Sequence, residues 1–469
     1  MVGGTITGAA GYVALEEALA GDLAALQPRW GTGIWVLVPT NLLALHLQRT
    51  VARRLDGIGG VQFLTLKDAA RRVALSDIAA DGGRFLPDGA AELALQRFLD
   101  EAHPGSYFAR FRPFRNSAWA MLRALVILQN SLWTPADLRE ASGRAPFRDG
   151  TAPRRLQELA GLWEKLKAWK AENALLDPDD LILEAGRADR EAAEEPEVLL
   201  LYGFYDFTPA QRRMVGRLAH LAEGCSAYLL WLEEEGAPGP GFEYAAPTVE
   251  WLREEVGLSQ TRLLNSSSET AGSDLSRLVG NLFEEWPVEG EEAVSRRLEE
   301  AEVDESIRIL SCPGEEAEAV EMVREVLRSS QGADASPEIG ILLRDAETTA
   351  GLLEEALDRA EVQWFVREGL PPAATVAGRV ALGLLDVAAG EARRGDIVAF
   401  CALAEVDWPE GLSPVALDRL SRESGIVKGP ESWQELLKAR AARLSEEAEH
   451  AEDEEQRQAL VRDTQLCQL

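Results

Sequence analysis

Short apolar runs, each followed by a helical stripe, constrain the fold of this 469-residue chain more than any other feature. Residues Ile34–Val38 are all apolar, as is typical of a strand buried on both faces of a parallel sheet. The run ends at Pro39, and a stripe with helical spacing follows at Leu42, Leu45, Leu47, Val51 and Leu55. Further strands are predicted over 61–65, 197–202 and 227–232. Strands that alternate with helices in this way predict an α/β fold with a parallel sheet.

The order of these patterns predicts how the chain is divided. Long helical stretches are expected over 90–101, 117–130, 154–173 and 179–194. We therefore predict a discontinuous first α/β domain, formed by 1–86 and 195–302, with a helical insertion over 87–194. Strands predicted at 306–310, 338–343 and 362–366 assign a second α/β domain to 303–374. Residues 375–469 are predicted to form a helical subdomain.

An excess of acidic residues limits the partners of the chain. The sequence has 79 Asp and Glu against 48 Lys and Arg, which gives a net charge of −31. This charge argues against a protein that coats nucleic acid, but it is compatible with a local basic groove. No apolar run approaches the roughly 20 residues of a membrane span, and the N-terminus lacks the pattern of a secretory signal. We expect a cytoplasmic protein without membrane contact.

The cysteines and histidines argue against a metal centre. Each of them stands alone, and none has a second one at the spacing of a zinc or iron–sulfur ligand pair. Reduced structural thiols are the simpler interpretation of Cys225, Cys312, Cys401 and Cys467. We therefore expect neither a metal nor another cofactor.

A phosphate-binding loop is the first chemistry to look for in a fold of this class. It needs the pattern GxxxxGK followed by Ser or Thr, because backbone amides hold the phosphates while the lysine neutralises the transferred group. Gly3 and Gly8 have the spacing of the two glycines, but Ala9 and Ala10 follow them. None of the six lysines of the chain follows a glycine. The glycine pair is either a degenerate phosphate loop or a turn without a ligand.

The acidic residue that would handle magnesium is missing as well. In an ATPase of this kind it ends a buried strand, but the strand predicted at Val198–Tyr202 is followed by Gly203-Phe204-Tyr205-Asp206. The chain also lacks the GxSxG, HExxH and PD-(D/E)XK-type patterns of common hydrolases. The sequence therefore argues against an active nucleotide-dependent enzyme and predicts no catalytic residues.

One stretch has the composition of a nucleic-acid contact. No acidic residue occurs between Glu101 and Asp137. This window holds arginines and aromatic residues, namely Arg110, Arg112, Arg115 and Arg123 with Phe108, Phe111, Phe114 and Trp119. Arginines bind phosphates and aromatic rings stack on bases, which is typical of single-strand grooves. The alternative is a corner of packed helices whose arginines extend to solvent.

Several segments resemble one family of recombination proteins. Residues Val198–Ala210, an apolar strand followed by Gly-Phe-Tyr-Asp-Phe-Thr-Pro, resemble a segment of AddB/RexB proteins, the helicase-like nuclease subunits of bacterial AddAB-type complexes. The resemblance continues through 274–283, 306–329, 339–345, 364–365, 369–371, 424–429 and Trp433. It covers most of the chain, although each segment alone is only moderately specific.

The resemblance implies an α/β fold with two RecA-like parallel-sheet domains of UvrD-type helicase layout with helical insertions. Thr40 and Thr65 stand where UvrD-type helicases contact the DNA backbone, so the resemblance makes them candidate DNA contacts. Capping and turn roles are an equal alternative for both. The implied partners are DNA, as a single strand or a duplex end, and an AddA-like helicase–nuclease motor subunit.

The chain departs from this family in two respects. The phosphate loop that some members retain is absent, and the chain stops before the nuclease domain with its Fe–S cysteines, so nuclease activity is not carried over. We expect the N-terminal, helicase-like portion of such a protein, without ATPase activity, that binds a DNA strand beside a partner motor in double-strand-break processing and recombinational repair. The alternative is an acidic protein-interaction scaffold without direct DNA contact.

Overall fold

The computed structural model describes residues 4–26, 33–80, 82–114, 116–144, 150–189, 192–234, 237–239, 241–264, 306–330, 339–366, 372–389, 392–404 and 413–468, with residues 275, 278 and 408. The chain divides into two compact units, Met1–Arg308 and Ile309–Leu469. Each unit is described by itself below.

A six-stranded parallel sheet forms the centre of the first unit. The strands of this unit are β1 (Thr5–Ala9), β2 (Ile34–Val38), β3 (Val61–Thr65), β4 (Arg84–Phe85), β5 (Leu175–Leu176), β6 (Val198–Tyr202), β7 (Gly224–Leu230), β8 (Glu233–Glu234), β9 (Ala237–Pro238) and β10 (Gln260–Leu264). The order across the large sheet is β10-β1-β7-β6-β2-β3, while β4 pairs with β5 and β8 with β9. The parallel sheet predicted from the sequence is therefore confirmed.

Helices connect these strands. They are α1 (Tyr12–Ala25), α2 (Asn41–Arg54), α3 (Leu66–Ala80), α4 (Ala90–Asp100), α5 (Ser117–Asn130), α6 (Pro135–Gly143), α7 (Ala152–Glu172), α8 (Pro178–Ala185), α9 (Pro209–Leu221) and α10 (Ala246–Glu254). Short 3-10 helices lie at Phe108–Phe111 and Glu243–Ala245. The helix predicted over 179–194 is shorter than expected, because α8 ends before Gly186.

The helices cover both faces of the sheet. Helices α1 and α2 pack on one face, where Val36 and Val38 of β2 point. Helices α3, α8, α9 and α10 pack on the other face, where Trp35 and Leu37 point. Alternate residues of one strand thus enter different cores, which explains why every residue of β2 is buried and why its sequence is apolar throughout.

The central strand β1 and the edge strand β10 had no clear sequence signal. Ile6 is the one large apolar residue of β1, yet β1 lies between β7 and β10. The hydroxyl of Thr7 is buried and has no hydrogen-bond partner among the residues that the structure describes. Strand β10 pairs with β1 alone and leaves most of its polar side chains exposed. The small and polar residues of β1, and the polar first half of β10, therefore give no apolar pattern from which a strand could be predicted.

Helices α4 to α7 form the helical block predicted between the strands. They share a separate apolar core that includes Leu95, Leu99, Leu125, Trp163 and Leu166. Helix α5 has the predicted bounds of Ser117 and Asn130. This block is joined to the layer beneath the sheet through α8, whose Leu181 and Ile182 belong to the core of α3 and α9.

The second unit contains helices in its described residues. They are α11 (Glu315–Ser330), α12 (Ala346–Arg359), α13 (Val376–Ala389), α14 (Arg394–Leu403), α15 (Pro414–Glu423), α16 (Pro430–Glu449) and α17 (Glu454–Gln468). Helices α11 and α12 pack through Ala319, Val323, Leu353 and Leu357. Strands were expected at 306–310, 338–343 and 362–366, but residues 306–310, 339–343 and 362–366 form none, and residue 338 lies outside the described residues. Ile309, Leu342 and Phe365 are almost fully exposed. Ile341, Leu343 and Val362 are instead partly buried against the core of α11 and α12.

None of the helices in the described ranges is long and apolar enough to cross a membrane. The predicted domain boundaries, 1–86 with 195–302, 87–194, 303–374 and 375–469, stay predictions.

Candidate nucleic-acid interface

The carboxyl ends of the parallel strands meet at one edge of the sheet, and helices begin there. Helix α1 follows β1, α2 follows β2, α3 follows β3 and α9 follows β6. The first turn of a helix presents free N–H groups and a partial positive charge, which favours anions such as phosphate. This edge, called the carboxyl edge below, is where a phosphate loop would lie.

The junction between β1 and α1 is too short for a phosphate loop. Only Ala10 and Gly11 separate the end of β1 from the first residue of α1, Tyr12. Gly8 lies within β1 and not in a loop, and Gly3 lies outside the described residues. The interpretation of Gly3 and Gly8 as a degenerate phosphate loop therefore needs correction, because a strand residue cannot present its amide to a phosphate in the way a loop glycine does.

The position of the turn suggests a different register for the motif. If Gly8 is its first glycine, the second glycine and the lysine fall at positions 13 and 14, which are Val13 and Ala14. Both lie in the first turn of α1. In either register the lysine is replaced by alanine, so the expected loss of the phosphate-binding lysine does not depend on the alignment.

The backbone at Gly8 is closely packed. A Cβ atom there would lie 2.5 Å from the carbonyl oxygen of Trp231 and 3.1 Å from Cδ2 of Leu263. The amide of Trp231 also donates to the carbonyl of Ala9, at 3.1 Å. Glycine at position 8 thus allows β1 to approach the chain that leaves β7.

Replacing Gly8 with alanine is expected to destabilise the first unit by about 1–3 kcal/mol, since backbone must move to admit the methyl group. The midpoint of urea unfolding measures the effect. Gly11→Ala is the matched control, because a Cβ at Gly11 would meet nothing within 4 Å. Equal midpoints for the two variants would show that the close approach at Gly8 does not constrain the sheet.

Thr40 and Thr65 both lie at the carboxyl edge, on neighbouring strands. Thr40 is the N-cap of α2, and its hydroxyl accepts a hydrogen bond from the amide of Leu43 at 3.3 Å. The hydroxyl of Thr65 donates to Asp68 at 2.7 Å and accepts from the Asp68 amide at 3.2 Å. Both side chains therefore cap helices, as the alternative interpretation expected, while Thr40 is also exposed.

A group of exposed tyrosines at the same edge was not foreseen from the sequence. Tyr12 begins α1, Tyr205 follows β6, and Tyr244 lies in the 3-10 helix before α10. Their exposed fractions are 47%, 52% and 51%. The rings of Tyr205 and Tyr244 meet edge to face with centroids 5.5 Å apart. Partial burial raises the pKa of Tyr244, and Tyr12 and Tyr205 raise it further. These three residues at the carboxyl edge are called the tyrosine cluster.

The tyrosine cluster lies beside an uncapped helix end. The N-cap of α1, Gly11, provides no side-chain hydrogen bond, and the first turn of α1 contains no acidic residue. By contrast, α9 begins with a capping box formed by Thr208 and Gln211. A ligand anion can therefore reach the first-turn amides of α1 without displacing a side-chain cap.

The arginine and aromatic residues predicted to contact DNA are largely engaged with the protein itself. The guanidinium of Arg110 lies 3.9 Å from the ring centroid of Tyr107, and its Nε donates to the Tyr107 carbonyl. Arg112 Nε donates to the carbonyl of Leu99 at 2.8 Å. Arg115 lies outside the described residues. This arrangement agrees with the alternative of a packed corner.

The aromatic residues of this segment differ in exposure. Phe111 is partly buried against the core of the helical block, whereas Phe114 is 62% exposed. A carboxylate of α7 anchors the segment, because Glu158 accepts hydrogen bonds from the hydroxyl of Ser106 and the amide of Tyr107. Burial alone would raise the pKa of Glu158, but these bonds and the one from Arg154 outweigh it and lower the pKa.

The described residues contain no group of three or more His, Cys, Asp or Glu side chains that could hold a metal ion. Asp206, at the carboxyl edge, therefore belongs to no such group among them. Burial raises the pKa of the Cys225 thiol to about 12, so this cysteine is protonated and unreactive at neutral pH.

Comparison with known proteins leaves the resemblance to AddB/RexB proteins untested. No model of a known protein family matches the sequence, and no curated protein matches it significantly.

Proposed function

We propose that this chain is an ATPase-inactive, helicase-like scaffold that binds a DNA strand at the carboxyl edge. In this proposal it acts in double-strand-break end processing and recombinational repair, beside a motor subunit of the AddA-like helicase–nuclease kind that hydrolyses ATP. The observation that carries the proposal is the carboxyl edge itself, where an uncapped helix end and exposed aromatic rings replace the phosphate loop.

The sheet topology supports a ligand site at this place. In open parallel sheets, ligands bind outside the carboxyl ends of neighbouring strands whose connections lead to opposite faces. Strand β1 leads to α1 on one face, and its neighbour β7 leads to α10 on the other. Tyr12 and Tyr244 follow these two strands. The tyrosine cluster therefore lies at one of the switch points of the sheet.

The chemistry of the edge suits a single strand better than a nucleoside triphosphate. Tyrosine rings stack on bases of any sequence, and the α1 amides with Lys67 at the start of α3 offer positive charge to a phosphate diester. A triphosphate needs a lysine and a magnesium ligand, and neither Ala14 nor Asp206 supplies them. Thr40 and Thr65 are then contacts at the ends of β2 and β3, made while they cap their helices.

The finer fold belongs to the same proposal. We assign the large sheet to the first RecA-like domain of a UvrD-type layout and residues 303–374 to the second. The assignment of the second domain is supported by α11 and α12, which pack on one another as the helices of a strand–helix repeat would.

A second function is favoured by one specific observation. The segment with Arg110, Arg112, Phe111 and Phe114 borders an apolar groove between α5 and α7, and its arginines are already bound to backbone or aromatic rings. An apolar groove on a chain of net charge −31 fits an acidic protein-interaction scaffold that holds its partner without touching DNA.

Titration of the chain with a fluorescent single-stranded oligonucleotide at several salt concentrations tests the proposal. We expect binding whose affinity falls with salt, with a logarithmic slope of about −0.7 for each phosphate contacted. ATP with magnesium is expected to leave the thermal unfolding midpoint unchanged. Absence of strand binding with intact folding would favour the interaction scaffold, and stabilisation by ATP would overturn the assignment of an inactive motor.

A further inference from the structure

The helical block of the first unit contains an open apolar groove of about 480 Å³. Phe108, Phe111 and Phe114 line one side, the exposed face of α5 another, and Leu156 and Leu159 of α7 the third. Ala120 and Ala124 lie one turn apart on α5 and are exposed. Their small side chains keep the groove open along the helix, and Phe114 presents a large apolar ring at its rim.

The lining of this groove distinguishes between the kinds of molecule that could fill it. Asn116, Ser117 and Arg155 are its polar residues. A nucleobase carries several donors and acceptors on its edge, and burying them without partners is costly. Apolar side chains on one face of a helix need no such partners, and helices bind grooves of this form through residues three and four positions apart.

Charge determines the expected character of that helix. Among the described residues lining the groove, Arg155 alone is charged. The surrounding sequence from residue 102 to 136 contains arginines and no acid. Arg110 lies over Tyr107, and Arg123 lies over the Trp119 ring at 4.7 Å. Arg110 and Arg123 are exposed, and Arg110 stands between the lining residues Phe108 and Phe111. The nearby acid Glu158 is paired with Arg154, so the arginines can attract carboxylates of a bound segment.

We propose that this groove binds an acidic amphipathic helix of a partner protein. The apolar face of that helix would lie on Phe114, Met121 and Leu159, with its glutamate or aspartate side chains towards the arginines of the segment. The assignment is independent of DNA binding at the carboxyl edge, because it uses other residues of the unit.

The test uses the full chain and a fluorescent synthetic peptide with leucine and phenylalanine on one helical face and glutamate on the other. We expect the peptide to bind with a Kd below about 1 mM. A peptide with the same composition in scrambled order is expected not to bind. Replacing its glutamates with lysines is expected to weaken binding, because the arginines would then repel the peptide.

Two groove variants and a matched control locate the site. Ala120→Glu and Ala124→Glu place a charge in the groove at exposed positions, so circular dichroism should report an intact fold, and each is expected to weaken peptide binding at least about tenfold. Ala136→Glu makes the same substitution at an exposed position of α6 and should bind as the unchanged chain does.

Other outcomes would overturn the proposal. No binding of the ordered peptide, or equal binding by the groove variants, would show that the groove is not a docking site for such a helix. Loss of single-strand affinity in the groove variants with unchanged peptide binding would assign the groove to nucleic acid. Concentration-dependent dimers in sedimentation that are lost in Ala120→Glu would assign it to a second copy of the chain.

Discussion

Replacing Tyr205 and Tyr244 together with alanine is expected to weaken single-strand binding on the order of 10- to 100-fold. The two rings meet edge to face at 5.5 Å and are about half exposed. A base stacked on an aromatic side chain contributes about 1–3 kcal/mol, as measured by alanine substitution. Because neither ring is part of a buried core, the double variant should unfold at nearly the same urea concentration as the unchanged chain.

The matched control keeps the rings and removes the hydroxyls. Tyr205→Phe with Tyr244→Phe is expected to retain most of the affinity, since stacking depends on the ring face. The salt dependence gives a second criterion, because loss of stacking lowers the affinity at every salt concentration without changing its slope. A changed slope would mean that the strand had moved, and unchanged affinity in the alanine variant would remove the tyrosine cluster from the site.

The sheet was predictable wherever both faces of a strand are buried by large side chains. Strands β2 and β6 are apolar at every position because each residue enters one of two cores. The same reasoning fails for β1, where Gly8 allows the close approach of Trp231 and where the buried Thr7 hydroxyl has no partner in the described part of the chain. Close backbone packing selects small residues there, and small residues carry no apolar pattern.

The apolar runs of the second unit show the opposite failure. Residues 339–343 and 362–366 have the composition of buried strands, but Leu342 and Phe365 are almost fully exposed. Composition measures the tendency of a segment to pair with neighbours, and pairing also requires adjacent strands. Sequence alone therefore cannot distinguish a strand from an apolar segment without a sheet.

The candidate site could be predicted only in part. Thr40 and Thr65 were named as DNA contacts only through the resemblance to UvrD-type helicases, and the caps they form agree with ordinary helix starts. The tyrosine cluster was missed because Tyr12, Tyr205 and Tyr244 come from distant parts of the sequence. They meet because parallel strands end at one edge, so the topology of the sheet was needed to identify them. Arg110 and Arg112 were found by composition. Composition does not indicate whether a guanidinium already contacts a ring or a backbone carbonyl of the protein itself.

Replacing Lys170 with methionine is expected to destabilise the start of α8 by about 3 kcal/mol. The Nζ atom lies 2.8 Å from a carboxylate oxygen of Asp177 and also pairs with Asp180. The exposed fractions of the three side chains are 11%, 19% and 20%. Removing one partner from a buried ion pair costs about 3–5 kcal/mol, and the lower value applies because backbone amides still bind both carboxylates.

Hydrogen exchange of the α7 and α8 amides, followed by mass spectrometry, measures this loss in the full chain. Lys167→Met is the matched control, since it makes the same change on an exposed position of α7. It should exchange as the unchanged chain does. Equal protection in both variants would mean that Lys170 does not hold α8 against α7, and that the apolar contacts of Leu181 and Ile182 are sufficient.

The pH dependence of the loss follows from the pKa directions. Burial alone would lower the pKa of Lys170, but Asp180 and Asp177 together raise it. A cation with a raised folded pKa stabilises the fold fully below its unfolded pKa of about 10.4, and this stabilisation disappears as the pH rises through the folded pKa.

Burial and Asp177 raise the pKa of Asp180 despite Lys170, and without the ammonium group of Lys170 the pKa of Asp180 should rise further. Protonation of Asp180 then removes the unbalanced charge. The difference in stability between Lys170→Met and the unchanged chain should therefore be largest at neutral pH. It should narrow in alkali and also as the pH falls towards the ordinary aspartate pKa of about 3.9. A difference that stayed constant from acid to alkaline pH would assign the loss to packing of the lysine side chain and not to its charge.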